Sequence, residues 1–249
     1  MIALISDIHS NLAALEAVLT DIRAKNVDEI ICLGDVVGYG PDPEACIDFL
    51  KDLKTVLLGN HDEAVLTGEA SDFNLRARRA VDWTRKRLNE NIQNDPIKQE
   101  RWNFLERMQS ILQDGNLTFV HGSPRNPTKE YVIPRDAMNQ AKMKDIFERI
   151  PGLCFGGHTH LPGVFTPNFE FLTPKDMNNI YIHDGSKAFV NIGSVGQPRD
   201  GDIRASYVTY DGESVVWRRI EYDVQKTVQK IHAIDGLDRS LGDRLLEGR

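Results

Sequence analysis

Histidines with acidic and amide neighbours follow short apolar runs in this sequence. The chain of 249 residues has seven histidines, and five of them stand at or just past the ends of such runs. These five are His9, His61, His121, His158 and His160, and similar positions hold Asp7, Asp35 and Asn60. Imidazole, carboxylate and amide oxygen together suit Mn, Fe, Zn, Co or Ni. The cysteines form no thiolate cluster, so a structural zinc site is not indicated.

Five apolar runs must position these residues, namely residues 2–5, 30–33, 56–58, 117–120 and 153–155. If they are neighbouring strands, their carboxyl ends meet at the edge where open α/β sheets bind ligands. Asp7 and His9 are two apart, so on an extended segment both side chains reach the same side and one ion. His158 and His160 repeat this spacing. Two ions about 3.5–4 Å apart need a shared ligand, and Asp35 is the natural bridging carboxylate.

The order of elements predicts an α/β fold. Strands are expected at 2–6, 29–33 and 55–58, with a helix from an Asn11 cap to about residue 25 and another from Pro43. Strands separated by helices imply a parallel sheet with crossover connections. Short β-prone pieces after residue 163 predict antiparallel hairpins, and a helix is expected from about Val224 to Ile234.

Residues 63–113 interrupt this order and show no strand signal. They predict two helices, the second with Trp102, Leu105, Met108 and Leu112 at helical spacing. The first helix is basic: Arg76, Arg78, Arg79, Arg85, Lys86 and Arg87. One interpretation is a solvated helix face. The other is a helical cap over the mouth of the site that helps to hold an anionic substrate.

Composition narrows the possible partners and compartment. The net charge is −7, from 30 basic and 37 acidic residues, and no basic run of the kind that binds a nucleic-acid polymer is present. No stretch is apolar for long enough to span a membrane, and the N-terminus reaches Asp7 too soon for a signal peptide. Cys32, Cys46 and Cys154 show no paired spacing. Buried thiols and a cytoplasmic location are therefore expected.

The motifs resemble, in order, those of the calcineurin-like metallophosphoesterase superfamily. They are Asp7-x-His9, Gly34-Asp35, Gly59-Asn60-His61-Asp62, His121-Gly122 and Gly157-His158-Thr159-His160, over about residues 5–160. The longer segments 34–41, 121–125 and 191–199 are similar to the small bacterial and archaeal phosphodiesterase-like branch, often grouped with diadenosine tetraphosphatase-related proteins. Ile192 departs from that branch, which usually has proline there.

The resemblance implies one domain over residues 1–249. Its fold would be a four-layer α/β/β/α sandwich with two central mixed β-sheets, and residues 63–113 would form a helical insert within it. Two divalent transition-metal ions are implied, Mn, Fe, Zn, Ni or Co, with Mn favoured. The first ion would be held by Asp7, His9, Asp35 and His160. The second would be held by Asp35, Asn60, His121 and His158.

A mechanism follows from two such ions. They neutralise phosphate oxygens and lower the pKa of a bridging water, so that hydroxide attacks phosphorus. His61 is not implied as a ligand and is the predicted catalytic residue, a general acid near Asp62 or Asp35. If the segment stays extended, His61 points away from Asn60.

Four further residues could contact substrate. Arg125 could clamp a phosphate oxygen or simply be an exposed loop arginine. Asn11 could touch substrate, although helix capping is favoured. Ser194 and Arg199 lie on a glycine-rich loop predicted to border the site.

The predicted function is hydrolysis of a small phosphorylated substrate, a phosphomonoester or phosphodiester, with nucleotides among the candidates. Two alternatives are open. One is a non-catalytic binding scaffold on the same fold, although such proteins tend to lose ligands and this chain has the full set. The other is a protein serine/threonine phosphatase, which needs an open groove that a cap over residues 63–113 would oppose.

Overall fold

Two six-stranded mixed sheets form the centre of the structure, a computed structural model that describes all residues 1–249. The strands of the first sheet are β1 (Ile2–Ile5), β2 (Glu29–Cys32), β3 (Thr55–Val56), β9 (Ile180–Ile182), β11 (Ala205–Tyr210) and β12 (Ser214–Ile220). The strands of the second are β4 (Ile111–Asp114), β5 (Leu117–Val120), β6 (Leu153–Gly156), β7 (Gly163–Phe165), β8 (Phe171–Leu172) and β10 (Ala188–Asn191). The spatial orders are β3-β2-β1-β11-β12-β9 and β4-β5-β6-β10-β7-β8.

Helices connect and cover these strands. They are α1 (Leu12–Arg23), α2 (Pro43–Leu50), α3 (Asn60–Thr67), α4 (Leu75–Asn89), α5 (Pro96–Glu106), α6 (Gln140–Glu148), α7 (Val224–His232) and α8 (Ser240–Asp243). Short 3-10 helices occupy Ile92–Asn94, Pro134–Met138, Pro174–Met177 and Arg244–Leu246. None of the helices combines the length and hydropathy that a membrane span requires.

The predicted strand–helix–strand order is confirmed in the first sheet. β1, β2 and β3 are parallel, with Ile5 opposite Cys32 and Cys32 opposite Val56. The Asn11 side chain accepts a hydrogen bond from the backbone N–H of Ala14 at 3.3 Å and so caps α1. The predicted single row of five neighbouring strands is wrong, because β5 and β6 are parallel neighbours in the second sheet. Apolar runs alone do not indicate which strands will pair.

The second half of the chain divides between the two sheets. Most of its strands pair antiparallel as predicted, but β10 also pairs in parallel with β6, with Asn191 opposite Gly156. The loops after β1 and β6, one from each sheet, meet where the backbone N–H of His158 donates to Asp7 Oδ2 at 3.0 Å. Between β5 and β6 the chain forms a 3-10 turn, Pro134–Met138, and then the separate α6.

The core holds the two sheets and their helices in four layers. Fifteen buried side chains lie in the cluster to which both sheets contribute, among them Leu4, Val208, Phe119 and Phe155. α1 and α2 pack on the first sheet, whereas α6 packs on the second through residues such as Ile146. Full burial of such a side chain contributes about 1.5–3 kcal/mol to the free energy of folding. The core therefore stabilises the strands whose ends carry the site loops. The implied α/β/β/α order is confirmed.

The insert differs from its prediction at its C-terminal end. α5 ends at Glu106, and Leu112 lies in β4, opposite Phe119 of β5. Met108 and Leu112 match helical spacing by coincidence, since the edge of β5 offers backbone partners to this segment. Asp114-Gly115, with Gly115 at φ +55°, turns the chain into β5. That dipeptide between two apolar runs is a hairpin signal that the sequence did contain.

The insert helices also complete the outer layer of the first sheet. α4 and α5 contribute Val81, Leu88, Phe104 and Leu105 to the same core cluster as α1 and α2. Several basic side chains of α4 bind neighbouring groups of the protein. Arg85 donates to the carbonyls of Val65 and Leu66, Arg78 to those of Ala70 and Ser71, and Arg87 pairs with Glu44. Arg85 and Arg78 thus hold the end of α3 and the following loop in place, whereas Arg87 joins α4 to α2.

Candidate metal centre

The loops that carry the predicted metal ligands have an unusual backbone. Asp7, His9, Asp35, His158 and His160 have φ values of 54°, 47°, 52°, 66° and 61°. The prediction that Asp7-x-His9 and His158-x-His160 are extended is therefore wrong. Left-handed conformation in a residue with a Cβ costs about 1–2 kcal/mol. Such residues cluster at functional sites because the surrounding structure holds them.

Backbone hydrogen bonds between neighbouring loops hold this conformation. The N–H of Asp7 donates to the carbonyl of Gly34 at 3.0 Å, and that of His9 donates to Asp35 at 2.9 Å. The N–H of Gly157 donates to His121 at 2.9 Å, which joins the loops after β5 and β6. At Gly34, with φ +101°, a Cβ would lie 2.5 Å from the backbone nitrogen of Gly59. Glycine is therefore required where these loops meet.

The first cluster consists of Asp7, His9 and His160. His160 Nε2 lies 3.1 Å and His9 Nε2 3.8 Å from Asp7 Oδ1. The two Nε2 atoms are 3.1 Å apart. All three side chains are buried, with at most 2% of any residue exposed.

The second cluster consists of Asn60, His121 and His158. His121 Nε2 lies 3.1 Å from both Asn60 Oδ1 and His158 Nδ1. Asp35 stands between the two clusters, because its Oδ2 is 3.6 Å from His9 Nε2 and 3.4 Å from His121 Nε2. The seven predicted ligands therefore come together, with Asp35 where a shared carboxylate would lie.

Hydrogen bonds to backbone carbonyls determine which nitrogen of each ligand histidine carries a proton. One nitrogen of each histidine lies on a backbone carbonyl: His9 on Val37 at 3.3 Å, His121 on Leu33 at 3.1 Å, His158 on Lys129 at 3.2 Å and His160 on Gln197 at 2.5 Å. A carbonyl oxygen only accepts, so this nitrogen must donate. The inward nitrogen of a neutral ring is then a lone pair, as in histidines that bind metal.

When all four rings are neutral, acceptors therefore face acceptors in both clusters. Two lone pairs then meet at 3.1 Å between His9 and His160, and two more between His121 and His158. Asp7 Oδ1 is buried and has no hydrogen-bond donor. Such sets repel unless a cation lies among them. These donor atoms fit divalent metal ions.

At most positions the direction of the pKa shift agrees with a neutral imidazole ring. Burial lowers the pKa of His9 and His160, and it lowers that of His158 to about 3. His121 differs: burial opposes its charge, but the neighbouring Asp35 carboxylate raises its pKa to about 9. In the metal-free protein a proton on His121 thus takes part of the role of a cation.

His61 lies beside the ligands in the first turn of α3. The prediction that Asn60 and His61 form an extended segment is wrong, since α3 begins at Asn60. The helical twist still separates the two side chains by about 100°. The His61 ring packs on Tyr39 at 4.3 Å and on Phe73 at 4.7 Å between centroids, and its buried Nδ1 has no partner. Burial lowers its pKa to about 4.

Asp62 is not the partner of the His61 ring. Its carboxylate accepts hydrogen bonds from the backbone N–H groups of Val37 and Gly59, both at 3.1 Å, and from Val36 at 3.3 Å. Asp62 thus joins the loop after β2 to the loop after β3. Asp35 does contact His61, because its Oδ1 accepts the backbone N–H of His61 at 2.8 Å.

The predicted substrate-contacting residues are engaged within the protein. Arg125 pairs with Glu130 and Asp145, each at 3.3 Å. The Asn11 amide donates to the carbonyl of Gly196 at 2.8 Å, besides capping α1.

Ser194 and Arg199 belong to the loop that passes the first cluster. The Ser194 hydroxyl donates to the carbonyl of Asp7 at 2.9 Å and accepts from the N–H of Gln197 at 2.8 Å. Arg199 donates to Gln197 Oε1 at 2.8 Å. The roles of Asn11, Arg125, Ser194 and Arg199 toward substrate stay predictions.

Sequence reasoning missed a group of residues behind His9 and His61. The Tyr39 ring contacts both histidines and has φ +56°. The Arg244 guanidinium lies 4.4 Å from the centre of this ring, and that of Arg199 lies 6.0 Å away. Nε and Nη2 of Arg244 are buried without a partner. The glycines flanking Tyr39 were a possible signal, but nothing near Arg244 in the sequence indicates this contact.

Comparison with known proteins identifies the family. The sequence pattern of calcineurin-like phosphoesterases matches residues 1–162, which include every residue of both clusters. The chain belongs to this family. It is a metal-dependent phosphoesterase, since this family uses divalent metals for hydrolysis of phosphoesters.

Individual relatives resemble the whole chain. An uncharacterized protein of Methanocaldococcus jannaschii is 38% identical over 258 residues, covering 100% of this chain and 98% of its own length. The crystal structure of a metallophosphoesterase from Sphaerobacter thermophilus has 37% identity and a TM-score of 0.83, with 100% and 98% of the two chains covered. A hypothetical protein from Pyrococcus horikoshii OT3 shares the fold at 19% identity and a TM-score of 0.77, with 100% and 99% covered.

Proposed function

We propose that this chain hydrolyses small phosphomonoesters or phosphodiesters with two divalent transition-metal ions, Mn being favoured. The first ion would be held by Asp7, His9 and His160, and the second by Asn60, His121 and His158. Both ions would share Asp35. The observation that carries this proposal is the set of inward lone pairs 3.1–3.6 Å apart around Asp35. When bound, such ions neutralise phosphate oxygens and make water a nucleophile near neutral pH.

The residues of the chain supply orientation and a proton. Backbone carbonyls fix the histidine rings, so the ligands need little rearrangement on binding metal. A ring nitrogen of His61 lies within 4.8 Å of a His9 ring nitrogen and an Asp35 oxygen, and His61 is left out of both proposed ligand sets. From there it would donate a proton or a strong hydrogen bond to the leaving oxygen, an effect typically worth about 10²–10⁴-fold.

Two observations favour this function over the alternatives. A scaffold would not need the complete ligand set in an arrangement that is repulsive without cations. A protein phosphatase would need room for a folded partner, whereas the cleft beside Asn60 and His158 has a volume of about 160 Å³. Tyr131 and Phe73 form two of its walls. This cleft favours a small substrate.

A hydrolysis screen tests the proposal. Metal-free protein would be reloaded with Mn²⁺, Ni²⁺, Zn²⁺ or Mg²⁺ and assayed on bis-p-nitrophenyl phosphate and p-nitrophenyl phosphate. We expect activity with at least one transition ion, about two ions per chain by elemental analysis, and no activity after chelation. The matched control is Asp235→Asn, an exposed carboxylate without an ion-pair partner. Full activity in the chelated protein would refute the proposal.

A further inference from the structure

A cleft opens directly beside the second cluster. Its lining includes Asn60 and His158, the two residues of that cluster that reach its wall. Its volume of about 160 Å³ is too large for a water and suits one ring system of a small molecule. Any group bound here would lie next to the phosphorus of a substrate held at the metal centre.

Two aromatic rings form parts of the cleft wall. Tyr131 stacks on the His158 ring at 3.7 Å with an interplanar angle of 23°, and 47% of the residue is exposed. The Phe73 ring lies 4.7 Å from that of His61 at an interplanar angle of 35°. The carbonyl of Lys129 holds His158, so the segment carrying Tyr131 has a fixed position relative to the centre. These two residues offer a flat ligand preformed stacking surfaces.

The charge of the cleft is opposite to what a phosphate would require. Glu63, Glu69 and Asp72 line it, and Lys129 is the one basic residue among them. Lys129 Nζ is 3.3 Å from Glu63 Oε2, so that pair is neutral overall. Glu69 and Asp72 have no ion-pair partner within 4.0 Å. The cleft therefore suits an uncharged group with N–H donors, because carboxylates only accept hydrogen bonds.

We propose that the cleft between Phe73 and Tyr131 binds an amino-bearing nucleobase, adenine, guanine or cytosine, so that the substrate is a nucleotide phosphoester. Stacking on an aromatic side chain is available to any base. The exocyclic amine adds a donor that Glu69 or Asp72 can accept, as acidic side chains do from the cytosine amine in DNA. This inference rests on the proposed phosphoesterase activity for the phosphate part of the ligand and on the cleft alone for the base.

Nucleoside binding tests the base site separately from hydrolysis. Adenosine, cytidine, uridine and ribose would be titrated into Mn²⁺-loaded protein by calorimetry, and each would be tried as an inhibitor of bis-p-nitrophenyl phosphate hydrolysis. We expect adenosine and cytidine to bind and to compete, uridine to bind several-fold more weakly, and ribose not to bind. If the protein hydrolyses no phosphoester, adenosine binding by calorimetry still tests the cleft.

Variants separate the contribution of aromatic stacking from that of the acidic side chains. Tyr131→Leu should weaken adenosine binding by about ten-fold, since it removes a stacking surface but keeps an apolar side chain. The double variant Glu69→Ala, Asp72→Ala removes both acceptor groups and should remove most of the preference for adenosine over uridine. Asp235→Ala serves as the matched control for a lost carboxylate and should bind all four compounds as the wild type does.

Three results would overturn the inference. The first is hydrolysis of simple esters without measurable binding of any nucleoside. The second is equal binding of p-nitrophenol and adenosine, which would make the cleft a general aromatic site. The third is adenosine binding that is unchanged in Tyr131→Leu, provided that circular dichroism shows the variant to be folded.

Discussion

The two halves of the metal centre use similar ligands but differ in charge and surroundings. The first half has two carboxylates, Asp7 and the shared Asp35, whereas the second adds only the neutral amide of Asn60 to that shared charge. The first half is enclosed by Tyr39 and by the loop that carries Gln197. The second half forms part of the wall of an open cleft. We infer that the first ion is held more tightly and that the second is nearer to substrate and to exchange with solvent.

The shared carboxylate offers the strongest test of this comparison. Asp35→Asn should weaken both sites and nearly abolish hydrolysis, because an amide cannot carry the charge that two cations share. Loss of an outer contact to a ligand typically costs 10–100-fold in metal affinity or activity, so we expect a loss above about 100-fold. Elemental analysis and calorimetric titration with Mn²⁺ measure the effect. Two ions bound with unchanged affinity would show that Asp35 is not shared.

Removing a carboxylate from the first half alone should separate the two sites. We expect Asp7→Asn to bind one Mn²⁺ per chain where the wild type binds two, with the remaining ion at the second site. Asn60→Ala provides the comparison, since it should weaken only the second ion and leave the tighter first one. Retention of two ions in Asp7→Asn at the wild-type affinity would mean that the halves do not differ as their charges indicate.

His61 borders both halves and should affect chemistry without affecting metal content. His61→Gln should keep both ions and lower kcat by about 10²-fold or more. The loss should be smaller for p-nitrophenolate than for an alkoxide leaving group, because an acidic leaving group needs little protonation. Steady-state kinetics on matched aryl and alkyl esters measure this difference. Equal losses on both would instead indicate that His61 positions phosphate, and a lost ion would make it a ligand.

Asp62 joins the loops that carry Asp35 and Asn60. We expect its substitution to have a smaller effect than the preceding ones, and to lower the free energy of unfolding. Asp62→Ala leaves three backbone N–H groups without their acceptor. We expect a loss of about 1–3 kcal/mol in the free energy of unfolding, measured by urea denaturation of metal-free protein. Asp62→Asn should be milder because it keeps an acceptor oxygen. Asp235→Ala is the exposed control, and an equal effect of Asp235→Ala and Asp62→Ala would contradict the anchoring role.

The convergence of the proposed ligand residues could be predicted from the sequence, but their local geometry could not. Asp7 and Asp35 follow apolar strands whose pattern reflects burial, and burial is a property of the sequence itself. The left-handed backbone at His9 and His160 depends on hydrogen bonds from other loops, and histidine has no strong preference for that conformation. An extended loop was therefore the natural but wrong expectation.

Long-range packing limited the prediction elsewhere. The division of strands between two sheets depends on which strand faces pack together. Apolar runs such as 117–120 do not indicate this, because the runs of both sheets are similarly apolar. Leu112 was assigned to a helix because spacing outweighed the Asp114-Gly115 turn signal. The contact of Arg244 with Tyr39 joins residues from opposite ends of the chain, where no local pattern can indicate it.

The helical insert, residues 63–113, shows that a local charge pattern is also a poor guide to function. Its basic helix suggested a cap, but Val81 and Phe104 are parts of the main core cluster. Deleting residues 63–113 would therefore remove core side chains along with any covering segment. Phe73, which lines the cleft, is the better position at which to ask whether the insert touches substrate.

The left-handed residues of the centre have an evolutionary consequence. Asp7, His9, Asp35, His158 and His160 each hold a conformation that glycine would adopt without strain. Selection for hydrolysis therefore opposes selection for a stable metal-free fold at the same five positions. In a descendant that no longer needed the reaction, glycine would relieve this backbone strain, although at Asp35 it would also leave the N–H of His61 without its acceptor. A return to activity would require several strained residues to be restored together. Loss of catalysis in such a lineage would be easy to reach and hard to reverse.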